Sequence, residues 1–192
     1  TLPSHVVHLL DDHRFVDIAL KVVGVGSVGT RALMVLLAGR ADLDPLFLQI
    51  KEAGPSVFEP WAAPATWSSA GQRVVEGQRL LQAAGDLFLG WGSTGGRDYY
   101  LRQLRDMKGG ADVTRMLPAG LLRYAGLCAV ALANAHSRSQ QPALISGYLG
   151  TSDKADGAVA RFAVSYADQT ERDHAALVAA VRSGRIEAIE GI

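Results

Sequence analysis

The chain has 192 residues, 48% of them hydrophobic, with a mean hydropathy of +0.12. That is enough apolar material for one domain, or one domain of two small lobes, and it argues against a disordered chain. Nineteen Lys and Arg cancel nineteen Asp and Glu, so no global field draws the protein onto nucleic acid or an anionic membrane, and any phosphate binding must be local. Cys128 stands alone in an apolar run, which excludes an intrachain disulfide or thiolate metal site and fits a reducing, cytoplasmic setting. The opening residues lack the pattern of a signal peptide, and no apolar run approaches the roughly 20 residues that span a bilayer. A soluble protein is expected. The start on Thr1 rather than Met suggests a processed chain or part of something longer.

In chain order, Val7, Leu10, Phe15, Ile18 and Leu20 recur among Asp and His and predict a short amphipathic helix, or two turns of one, within residues 4–20. His5, His8 and His13 near Asp11 and Asp12 match no strong metal spacing and read as a solvated face. Lys21-Val22-Val23 then enters a glycine-rich segment, Gly24-Val25-Gly26-Ser27-Val28-Gly29-Thr30, and an apolar run from Ala32 to Leu37 follows. After the break at Gly39 to Pro45, Leu46 to Lys51 alternates as a strand. The Trp- and Pro-rich stretch from Gly54 to Trp67 is aperiodic and reads as a loop. A helix is predicted from a Ser69 cap to Gly85. Residues 86–91 and 98–104, joined through Gly92 to Gly96, predict an antiparallel hairpin. Beyond Gly110 the chain turns Ala-rich and helical, over 118–136, 153–166 and 170–182. His136 suits a helix C-terminus. The cluster Asp168 to His174 resembles a catalytic group, but Thr170 with Asp173 equally makes a helix N-cap, the preferred reading.

Three glycines at 24, 26 and 29 let a backbone approach a polyphosphate closely while its N–H groups donate. Two architectures use such a loop. In a dinucleotide fold, residues 30–37 form a helix and Glu52, after the second strand, binds a ribose; the hairpin is the wrong continuation for it, because that fold needs further alternating βα units. In a kinase-like small lobe the loop joins two antiparallel strands and Gly24, Val25, Gly26, Ser27, Val28 and Gly29 cover the phosphates. Lys51 on the third strand then reaches those phosphates, and Glu76 of the following helix orients it. Gln103, Leu104, Arg105 and Met107 form the linker beside an adenine. Arg73 or Arg79, each three residues away, compete for Glu76. Arg102, Arg105 and Lys108 are further candidates for a phosphate, or simply a solvated linker.

The second architecture fits the order of elements. The expected fold is α+β: a kinase-like small lobe of antiparallel sheet plus one helix over 21–108, a helical lead-in over 1–20, and a mostly helical region over 109–192. The departures are a loop without an aromatic residue and a long gap between Lys51 and Glu76.

Five segments carry a resemblance to a known family: residues 21–31, 48–53, 71–80, 100–109 and 166–174. Together they resemble the bacterial family called domain of unknown function 2252, over nearly the whole chain. The resemblance implies a protein-kinase-like fold in permuted order, with the catalytic Asp and Asn segments preceding the glycine loop and therefore supplied by an N-terminal part of a longer parent. It implies ATP and Mg as cofactors and a phosphoryl or nucleotidyl transfer, in the parent only, to an unknown acceptor. The partners expected are a nucleotide, that acceptor and the N-terminal part, with no nucleic acid and no membrane. A non-catalytic kinase-like interaction module and an NAD(P)-binding oxidoreductase are the alternatives.

Overall fold

The computed structural model describes residues 1–21, 29–40, 44–62, 66–104, 110–138 and 141–188. Two compact units divide the chain, Thr1–Gln140 and Gln141–Ile192. The first begins with helix α1, Ser4–Leu10, and carries strands β1, Arg14–Leu20, β2, Ala32–Ala38, and β3, Pro45–Ala53. Helix α2, Ala70–Leu81, precedes strands β4, Gly90–Thr94, and β5, Arg97–Gln103, and helix α3, Pro118–Ser137, follows a single 3₁₀ turn. The second unit holds α4, Pro142–Leu149, and α5, Lys154–Arg182. This is a mixed α+β fold.

The five strands form one sheet in the order β1-β2-β3-β5-β4, and every neighbouring pair is antiparallel. One face carries α1, whose Val6 is fully buried and joins Leu46, Leu48 and Phe88 in the core, with Val35, Leu37 and Leu101 packed around it. The other face carries α2: a Cβ at Gly71 would lie 3.2 Å from the Cβ of Trp91, and the Arg79 guanidinium stands 5.5 Å from the Trp91 ring centroid. Ser69 caps α2 as expected, its side chain accepting the Gln72 N–H at 3.1 Å.

Several local expectations need correction. Residues 4–20 are not one helix: α1 ends at Leu10 and the rest is strand β1, because Phe15, Val16 and Ile18 suit a pleated surface and β2 offers a full ladder partner. As the outer strand, β1 leaves Phe15, Val16, Ile18 and Leu20 exposed; a register shift between Phe15 and Asp17 and the Asp17 carboxylate, which accepts the Ile18 N–H at 2.8 Å, blunt its edge.

The apolar run from Ala32 is strand β2, not the helix of a dinucleotide fold. The hairpin is shorter in its turn than predicted: Gly95 and Gly96, at φ +57° and +72°, make the two-residue connection, so Gly92 to Thr94 join the ladder. Residues 86–89 lie outside the strand, since Asp86 Oδ1 accepts the Phe88 N–H at 2.9 Å and makes a turn there.

In the second unit, 153–166 and 170–182 are one continuous helix. Thr170 is not a cap; its hydroxyl donates back to the Tyr166 carbonyl at 2.8 Å, which satisfies it inside the helix. Asp173 accepts from Gln169 at 2.7 Å within the same helix face. Helix α4 carried no clear signal beyond Pro142 at its start.

Candidate functional site

Register decides which side chains share a face. Residues directly opposite in an antiparallel ladder point to the same side, and Ala32, Lys51, Tyr100 and Trp91 are opposite one another across β2, β3, β5 and β4. Trp91 lies under α2, so Lys51 stands on the α2 face. The next row on that face is Met34, Gln49 and Arg102. Tyr100, half-buried in the first row, has its phenol pKa raised by burial, partly offset by Arg102.

The flanks of the glycine segment meet this row. Lys21 N–H donates to the Ala32 carbonyl at 2.8 Å, Leu20 pairs with Leu33, and Gly29 takes a left-handed φ of +81°, which only glycine adopts at little cost. Gly24, Val25, Gly26, Ser27 and Val28 lie outside the described residues, as do Arg105 and Met107 of the expected linker. Gln103 ends β5 opposite Leu48, its N–H donating to Asp86 Oδ2 at 2.8 Å. Leu104 N–H donates to the Phe47 carbonyl at 2.9 Å. The sheet thus brings Gly29, Lys51 and Gln103–Leu104 onto adjacent strands and strand ends.

Glu76 is on α2, with its Oε1 2.9 Å from Arg79 Nη1, the surface pairing weighed against a role toward Lys51. Arg79 also donates to the Leu89 carbonyl at 3.0 Å and so ties Glu76 to the start of the hairpin.

Beyond Lys51, the end of β3, the first turn of α2 and the β4–β5 turn enclose a cleft of about 890 Å³, lined by Glu52, Trp67, Arg73, Arg97 and Asp98 among others. Its carboxylates are committed. Glu52 bonds the Arg97 guanidinium and the Arg31 N–H at 3.1 Å, and Asp98 accepts from Ser93 at 2.6 Å and from the Ala70 N–H at 2.8 Å. Both are held below the ordinary carboxylate range: Glu52 by the Arg97 and then the Arg31 hydrogen bond, Asp98 by Ser93 and then Ala70. Sequence reading missed Asp98 and Arg97, because neither stands in a motif; only the hairpin brings them to α2 and β3.

A lowered carboxylate pKa contributes stability that is full above the unfolded value, 4.5 for Glu52, and is lost as pH falls through the folded value. The melting temperature should therefore drop on acidification below about pH 4.5, and Glu52→Gln should flatten that drop while leaving the slope between pH 6 and 8, roughly, unchanged. Parallel acid slopes for the two proteins would remove Glu52 as a contributor.

Among the described residues no helix is long and apolar enough to cross a membrane, and no cluster of His, Cys, Asp and Glu is set to hold a metal. Fold and face together define an antiparallel α+β protein with a lysine on the α2 side of its sheet. The chain belongs to the family described as uncharacterized protein conserved in bacteria (DUF2252), whose model matches residues 1–180. No curated relative and no solved structure matches it.

Proposed function

We propose that this chain is the nucleotide-binding part of a kinase-like protein, holding ATP, with phosphoryl or nucleotidyl transfer confined to a longer parent chain. One observation carries the reading. Lys51 lies on the third strand, on the face covered by the helix that follows it, and beside the strand ends that flank the glycine segment. The order of three antiparallel strands, helix and hairpin is the one this use of a glycine loop requires.

In this reading the backbone of Gly24 to Gly29 donates to the phosphates. Lys51 supplies the charge, and Gln103 to Met107 border the adenine. Glu76 keeps Arg79 on Oε1 and orients the Lys51 ammonium through its second oxygen. Mg would be held by carboxylates that the family resemblance assigns to the N-terminal part of the parent, where it would offset the phosphate charge, and the acceptor would be bound there as well. A dinucleotide oxidoreductase gains no support, because its cofactor sits on a parallel sheet whereas these strands are antiparallel throughout, and Glu52 is already held by Arg97 and Arg31.

The test is calorimetric titration of ATP with Mg against wild type and Lys51→Ala. A charge-assisted bond to phosphate is worth about 1.5–3 kcal/mol, so the variant should bind roughly tenfold or more weakly. Equal affinities would remove Lys51 from the site, and no binding by wild type would overturn the reading.

A further inference from the structure

Gln49 is the one buried polar residue of the core among the described residues, 3% exposed. It sits two positions before Lys51 on the same face of β3, opposite Met34 and Arg102. Its Oε1 accepts from Arg102 Nε at 3.3 Å, a long bond that leaves a second lone pair. Its Nε2 amide has no hydrogen-bond partner among the described residues. A buried donor left unpaired is costly, and an apolar residue of the same size would fill β3 without that cost. Two β3 residues on one face are separated by roughly 7 Å, so a ligand with its phosphates at Lys51 has its remaining part within reach of Gln49.

We infer that Gln49 reads the base of the bound nucleotide and selects adenine over guanine, an inference that rests on the nucleotide site proposed above. A carboxamide presents one acceptor beside one donor pair. Adenine offers the complement, the N6 amino donor beside the N7 acceptor, whereas guanine offers two acceptors, O6 and N7, on the same edge. The unpaired Nε2–H meets N7 and the spare lone pair of Oε1 meets N6–H. Arg102 Nε, bonded to Oε1, fixes which end of the amide faces the base. At 3% exposure Gln49 lies out of water, where an unmatched hydrogen bond discriminates most.

The experiment titrates ATP, GTP and inorganic tripolyphosphate, each with Mg, against wild type and Gln49→Met, a near-isosteric change that keeps the core filled. Wild type should prefer ATP over GTP by on the order of tenfold. Gln49→Met should bring the two within about twofold of each other, with tripolyphosphate affinity unchanged and a melting temperature equal to or above that of wild type. An unchanged ATP to GTP ratio in the variant overturns the inference, as does a wild-type preference for GTP, which would assign base reading to the Arg102 fork. Equal weakening of tripolyphosphate makes Gln49 a structural residue only. If wild type binds ATP, and Lys51→Ala loses it while Gln49→Met keeps the ratio, this inference alone fails; if wild type binds none of the three, the nucleotide site fails with it.

Discussion

Leu89→Ala should cost the first unit about 2–5 kcal/mol, the range for truncating a fully buried leucine. Leu89 is 2% exposed and lies just before β4. Its backbone is pinned at both ends: the N–H donates to the Asp86 carbonyl at 3.1 Å, and the carbonyl accepts from Arg79 Nη2 at 3.0 Å. A backbone so tied cannot move inward to fill the space left by three missing carbons, so the cavity term persists and the loss belongs in the upper part of that range. Urea unfolding followed by tryptophan fluorescence gives the number. A loss below about 1 kcal/mol would mean that the turn collapses into the cavity and that its hydrogen bonds do not hold it.

Gly71→Ala separates local from tertiary control of α2. Taken as an isolated helix, α2 should gain about 1 kcal/mol from alanine in place of glycine. In the folded unit the new Cβ would lie 2.3 Å from the Tyr99 carbonyl oxygen and 3.0 Å from its carbon. Those are backbone atoms of β5 and have no rotamer to change. The helix must lift off the hairpin, which also lengthens the Ala70 N–H bond to Asp98. Overpacking of this kind costs about 1–3 kcal/mol, and with backbone on the other side of the clash the upper end applies, so the net loss should be about 2 kcal/mol. The sign is the test: a stabilised variant in denaturant unfolding would mean that α2 is not seated on β5 at this glycine.

Much of the first unit was legible because its signals are local. The alternation from Leu46 to Lys51 reads as a strand from period alone, and β3 runs Pro45–Ala53. Ser69 announces the start of α2 through the chemistry of a cap. The Ala-rich stretch opening at Pro118 is helix α3. Where two conformations suit the same residues, the local signal failed. Phe15 to Leu20 have apolar spacing that a helix can use, and β2 drew them into a ladder instead. Around Thr170 a hydroxyl that can cap a helix bonded backward within one, so two expected helices are one.

The site divides in the same way. Gly29, Lys51 and Glu76 were singled out by residue type and order along the chain, and those properties belong to the sequence. That Glu76 takes Arg79 depends on a three-residue helical spacing and was legible as an alternative. Gln49, Arg97 and Asp98 could not be found so. Nothing within a few residues of Gln49 marks it as buried, since alternation makes it look like the exposed partner of Leu48 and Ile50, and both faces of β3 prove to be covered.

By itself, then, the sequence determined element types where period, caps and turn residues agree, because those are interactions between neighbours along the chain. Only the tertiary structure decided strand order, register and the face on which Lys51 stands. These follow from pairings between residues far apart in the chain, Ala32 with Lys51 and Lys51 with Tyr100. A shift of one residue in either would carry Lys51 to the α1 side of the sheet.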